Sequence, residues 1–167
     1  MKFFNTAGPN KPELNYTLPP LGRLNLPEVL ELIEAQRYFV MHAPRQTGKT
    51  SCLLTLQDEL NQSGRYACVY CNVELGQGAR EDVDAALHAI IGAIARRVEM
   101  VLGETYLLEQ QEAIRRQAGE HGVLNALLTA WAKHSAKPIV FLMDEIPLNR
   151  DMSLRRKVRR TCLVNGC

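Results

Sequence analysis

Between residues 37 and 73 the chain changes character twice. Arg37-Tyr38-Phe39-Val40-Met41-His42-Ala43 is a short, almost unbroken apolar run. It passes through Pro44-Arg45-Gln46-Thr47-Gly48 directly into Lys49-Thr50-Ser51, after which Leu53, Leu54, Leu56, Gln57 and Leu60 recur at helical spacing. The apolar run fits a strand buried on both faces of a parallel sheet. The stretch after it fits a helix, closed by Gly64 at the position of a left-handed cap. Tyr66-Ala67-Cys68-Val69-Tyr70-Cys71-Asn72-Val73 then reads as a second strand. Strand, helix and strand in 37 residues predict a βαβ unit, and with it an α/β fold.

The flanking segments extend this pattern. Residues 1–25 carry four of the eight prolines, with Pro27 just beyond, and predict an extended arm that ends at a helix. Asn25 or Leu26 stands at the cap, Pro27 suits the first turn, and Val29, Leu30, Leu32 and Ile33 form an apolar stripe reaching to about Gln36. A longer stripe over Arg80–Val101 (Val83, Leu87, Ile90, Ile91, Ile94, Val98, Val101) predicts another helix. Two weaker helices follow at about Glu104–Gln117 and Val123–His134, making a helical crossover over residues 80–134. Pro138 introduces Ile139-Val140-Phe141-Leu142-Met143, a third buried strand that ends in Asp144-Glu145. The organisation read from this is an arm over 1–25, one α/β core over 26–146 and a basic tail over 147–167. There is no internal repeat.

Charge and cysteine content limit the function classes. Residues 150–167 hold six Arg or Lys against one Asp, so of the 20 basic and 18 acidic residues in the chain the body carries about −3 and the tail +5. A nucleic-acid footprint spread over the whole domain is therefore not indicated, and Arg155-Arg156-Lys157-Val158-Arg159-Arg160 reads first as a solvated tail. Sequence-blind contact with phosphate backbones is its alternative. No apolar run reaches the roughly eighteen residues of a membrane-spanning helix, and the first residues lack a secretory apolar core. A cytoplasmic protein with no membrane partner is the expectation. Five cysteines, an odd number, then read as reduced thiols. Cys68 and Cys71 invite a zinc or redox reading, but residues three apart on a strand point to opposite faces. His42, His88, His121 and His134 have no metal-ligand spacing, and Glu74, Glu81 and Asp82 suit a solvated loop.

Ala43-Pro44-Arg45-Gln46-Thr47-Gly48-Lys49-Thr50 matches the phosphate-binding loop pattern with Ala43 in place of the first glycine. A loop that leaves a strand and enters a helix aims several N–H groups at one point, where the helix dipole also favours an anion. Gly48 permits close approach of backbone to phosphate, Lys49 reaches the β and γ phosphates, and the Thr50 hydroxyl suits Mg²⁺, with Ser51 completing the first turn. Asp144 and Glu145 arrive at the carboxyl end of a strand, the edge where α/β sheets bind ligands. Asp144 is placed to hold Mg²⁺ through water, and Glu145 to orient or deprotonate the attacking water.

With these residues the chain resembles the P-loop NTPases, and specifically the AAA-like ATPases of bacteria and archaea with a catalytic Glu after the Walker B Asp. The resemblance covers about residues 3–146. It is carried by Phe4-Asn5-Thr6-Ala7-Gly8-Pro9, Tyr16, Pro19 and the run from Tyr38 to Thr50. It implies a three-layer P-loop sandwich around a parallel sheet and binding of ATP with Mg²⁺. Lys49 and Thr50 would be the Walker A pair, Asp144 and Glu145 the Walker B pair, and the arm from Asn5 to Tyr16 would lie near the adenine.

After Ile146 the resemblance stops. Relatives continue with further strands, a sensor residue and an arginine finger, and one later strand inserts between the Walker A and Walker B strands. Here Pro147-Leu148-Asn149 leads into the basic run. The reading is an incomplete fold, truncated or frameshifted after the second motif, with the last twenty or so residues foreign to it. A continuing ATPase sequence in another frame of the downstream DNA is the expected result of sequencing the locus, and its absence would contradict the idea. The function expected of an intact relative is ATP hydrolysis, and the alternative is a non-catalytic module that binds nucleotide and, through its helices or tail, a protein, a nucleic acid or a second copy. A small-molecule kinase would need an acceptor site and lid that the sequence does not display.

Overall fold

Side chains alternate along a strand, and here that alternation divides the core into two layers. A computed structural model of the chain describes residues 3–4, 13–16, 18–42, 47–74, 83–144 and 162–165. Within them β1 (Ala67–Asn72) pairs in parallel with β2 (Ile139–Asp144), with Val69 opposite Phe141 and Asn72 opposite Asp144. Ala67, Val69, Cys71 and Val73 face one layer with Ile139 and Phe141. Tyr66, Cys68 and Tyr70 face the other with Val140 and Leu142. Both strands are apolar on both sides because helices cover both faces, which makes the chain a mixed α/β protein.

The first layer is built by α3 (Val83–Leu102) and α4 (Tyr106–His134), joined at Gly103 with φ 73°. Ile91, Ile94, Ala95 and Val98 recur one turn apart on α3 and meet Leu107, Val123, Leu127 and Trp131 of α4. Trp131 stands edge-on to Phe141 with ring centroids 6.2 Å apart, and its indole N–H donates to Glu104 Oε2 at 3.2 Å, so its one polar atom is satisfied where it is buried. At Gly119, φ 63° and ψ 178° break the helical path of α4. The two helices expected over 104–117 and 123–134 are thus two segments of one element.

The second layer holds a 3-10 turn (Pro20–Arg23), α1 (Leu26–Glu34) and α2 (Lys49–Gln62). Val29 and Ile33 of α1 and Leu53, Leu56 and Leu60 of α2 are its buried residues. α1 ends slightly short of the expected Gln36, because Gln36 takes a left-handed φ of 52°. Its N–H bonds Ile33 O at 3.0 Å and the Arg37 N–H bonds Leu32 O at 2.8 Å, the paired bonds of a Schellman stop.

β1 lies at the edge of the sheet, and its outward backbone groups are satisfied by side chains. Asn61 accepts from the Cys68 N–H at 2.8 Å and donates to the Cys68 carbonyl at 2.9 Å. Gln57 accepts from the Tyr70 N–H at 2.9 Å, and Arg97 Nε donates to the Tyr70 carbonyl at 3.1 Å. Two residues one turn apart on α2 therefore stand in for a neighbouring strand.

Two expectations fail. The strand anticipated over Arg37–Ala43 is not formed over its described part, residues 37–42, which runs as irregular backbone. Phe39 and Met41 pack against the second layer, whereas Tyr38 and Val40 are 54% and 52% exposed, so the segment is covered on one side instead of two. Neither edge of the sheet is open to it: Asn61 and Gln57 bond the edge of β1, and β3 (Cys162–Asn165) runs antiparallel along the second edge of β2, with Ile139 opposite Asn165 and Leu142 opposite Cys162. The sheet order is β1-β2-β3, and residues 162–165, which the sequence placed in the basic tail, are part of it.

The arm folds back on itself where it is described. Phe3 and Asn15 form an isolated bridge, and the rings of Phe4 and Tyr16 lie 5.1 Å apart. Among the described residues no helix is long and apolar enough to cross a membrane.

Candidate functional site

α2 starts at Gly48, whose φ of 82° and ψ of 23° lie in the left-handed region that glycine enters at least cost. The first helical bond runs from the Cys52 N–H to the Gly48 carbonyl at 3.0 Å. The N–H groups of the preceding turn have no carbonyl of their own helix to bond, and Gly48 has no side chain to cap them. Lys49, Thr50 and Ser51 occupy this turn and are half-buried. The Lys49 side chain forms no hydrogen bond or ion pair among the described residues. Behind the turn, the Cys52 thiol donates to the Pro20 carbonyl at 3.0 Å and ties α2 to the end of the arm.

Asp144 is the last residue of β2 and is 8% exposed. Strand alternation puts it on the same face as Leu142 and Val140, the face that α2 covers. The Thr50 hydroxyl donates to Asp144 Oδ2 at 3.0 Å, joining positions 94 residues apart. The Tyr70 hydroxyl donates to the same oxygen at 3.2 Å. Burial pushes the Tyr70 phenol up to about 12, helped by the Asp144 charge and the hydrogen bond to it, and opposed by the neighbouring Thr50 hydroxyl. Near neutral pH Tyr70 is therefore a hydroxyl donor, never a phenolate. The Asp144 backbone is fixed as well, its carbonyl accepting from the Val73 N–H at 3.1 Å.

The structure thus gathers Thr47, Gly48, Lys49, Thr50 and Ser51 at one helix start and brings Asp144 to it through Thr50. Ala43, Pro44, Arg45, Gln46 and Glu145 lie outside the described residues, as do Glu81, Asp82 and the basic run Arg155–Arg160. Glu74 is exposed, and its N–H bonds Asn72 Oδ1 at 2.8 Å, as suits a loop turning away from the strand. Tyr70 was not among the residues that the sequence singled out. Its signal was a hydroxyl-bearing ring on the strand beside β2, on the same face as Asp144.

Cys68 and Cys71 are buried in opposite layers, as the alternation required, and cannot share a metal ion. Burial raises the Cys71 thiol above its ordinary value, against the opposing pull of Arg97 and Arg96. Among the described residues there is no group of three or more His, Cys, Asp or Glu that could hold a metal ion. Comparison of this chain with protein families, with curated proteins and with solved structures gives no match.

Proposed function

We propose that this chain is a P-loop nucleotide-binding domain of the AAA-like ATPase kind, built as a three-layer sandwich, that binds ATP with Mg²⁺. The observation that carries the reading is the 3.0 Å bond from Thr50 to Asp144. It joins the helix start after the loop pattern to the carboxylate at the end of a distant strand, and these are the two halves that phosphate and cation binding require.

The donor set fits Mg²⁺. Both side chains offer hard oxygens, and this cation takes one or two carboxylates beside phosphate and water oxygens in place of an all-protein cage. A hydroxyl has one proton and two lone pairs, so Thr50 can keep donating to Asp144 while its oxygen faces a cation. When bound, Mg²⁺ supplies neutralising charge along the β and γ phosphates. The chain's own groups would do the rest: the N–H donors at the start of α2 would cradle phosphate oxygens, and Lys49 would add a mobile positive charge. Glu145, next after Asp144, orients or deprotonates the water that attacks the γ-phosphate.

Glu145→Gln tests the hydrolytic part. The expected result is ATP affinity within a few-fold of the parent and turnover lower by about 10² or more, the usual size of a general-base contribution. Turnover equal to that of a parent that hydrolyses ATP would sink Glu145 as the base. A second reading, nucleotide binding without turnover, is favoured by one observation: residues 37–42, which lead into the loop, have no strand partner among the described residues. Parent and Glu145→Gln would then both bind ATP and both fail to hydrolyse it.

A further inference from the structure

We infer that Tyr70 is a positioning residue that fixes the Asp144 carboxylate in the orientation a divalent cation needs, an inference that rests on the nucleotide-binding reading above. Four residues close a ring. On α2, Gln57 accepts from the Tyr70 N–H at 2.9 Å; on β1, the Tyr70 hydroxyl donates to Asp144 Oδ2 at 3.2 Å; and Thr50 of α2 donates to that same oxygen at 3.0 Å. Thr50 and Gln57 are seven residues apart, about two helical turns, and so lie on the same side of α2. The Tyr70 carbonyl is held in turn by Arg97 Nε at 3.1 Å from the opposite layer.

Tyr70 is therefore anchored at its N–H, its carbonyl and its hydroxyl. In register it stands opposite Leu142, two positions before Asp144, so its ring leans along the strand toward the carboxyl edge of the sheet to reach the carboxylate. Through Gln57 and Tyr70 together, α2 is tied to the end of β2 independently of Thr50. This tie leaves Thr50 able to turn its oxygen toward a cation without releasing Asp144. Partners of metal-holding carboxylates commonly change metal affinity by 10- to 100-fold when removed, without touching the metal themselves.

The test is Tyr70→Phe, which keeps the ring that fills the layer under α2 and removes only the hydroxyl. A fluorescent ATP analogue is titrated into parent and variant in EDTA, and then at fixed analogue against MgCl2. The expected result is analogue affinity in EDTA within twofold of the parent, and a half-saturating Mg²⁺ concentration raised about tenfold. An unchanged Mg²⁺ requirement overturns the inference while leaving the nucleotide reading intact. Affinity lost equally with and without Mg²⁺ also overturns it, because that is the mark of a purely structural role. Failure of the folded parent to bind the analogue at all overturns the nucleotide reading, and this inference with it.

Discussion

Asp144 is 8% exposed, and both hydroxyls that reach it meet on one of its oxygens. A carboxylate so placed depends on its donors, and the donors on it. The dependence has a pH signature through Tyr70, whose phenol is raised from 10.0 to about 12 by burial and by Asp144. A group with a raised folded value contributes stability that is complete below its unfolded value and is lost as pH climbs through the folded one. The parent should therefore lose stability between pH 10 and about 12 more steeply than Tyr70→Phe does, as read from urea midpoints. Equal slopes over that window would show that folding does not raise the phenol. Of this site, Gly48, Lys49, Thr50 and Asp144 were legible in the sequence because each belongs to a short pattern of fixed spacing. Tyr70 was not, because its role arises from register across two strands.

At the scale of elements, the two central strands were the most legible part. Tyr66–Val73 and Ile139–Met143 are bounded apolar runs, and each emerged as a strand covered on both faces. The long stripe of α3 emerged likewise, from Val83 onward. The run Arg37–Ala43 has the same local character, but its described part, residues 37–42, has no strand neighbour among the described residues, and periodicity carries no information about whether a partner edge is open. Cys162–Asn165 shows the converse, since four residues after a basic run give no strand signal of their own and yet pair antiparallel with β2. On the other edge, Asn61 replaces a strand by bonding both backbone groups of Cys68, which is fully buried. Asn61→Ala should cost about 2 to 4 kcal/mol in urea unfolding, the penalty for two buried polar groups left unpaired. Gln62→Ala, exposed on the same helix, should stay within about 0.5 kcal/mol of the parent. Equal, small effects for the two variants would mean that water, and not α2, closes this edge.

For the whole molecule, the arrangement places helices on both faces of the sheet and puts the start of α2 at the carboxyl edge of the parallel pair. That edge is where α/β sheets gather ligands, because strands end there and helices begin. The α/β architecture was legible from the strand, helix and strand succession, whereas the sheet order was not, since the pairing of β3 depends on which edges the rest of the chain leaves open. The central claim is that the loop before α2 and the end of β2 form one site for Mg²⁺ and ATP. Its most direct test is a fluorescent ATP analogue titrated into the purified chain with and without Mg²⁺, beside Lys49→Ala. The expected result is saturable binding that Mg²⁺ tightens and that Lys49→Ala abolishes. A folded parent that does not bind, or one whose binding survives Lys49→Ala unchanged, would contradict it.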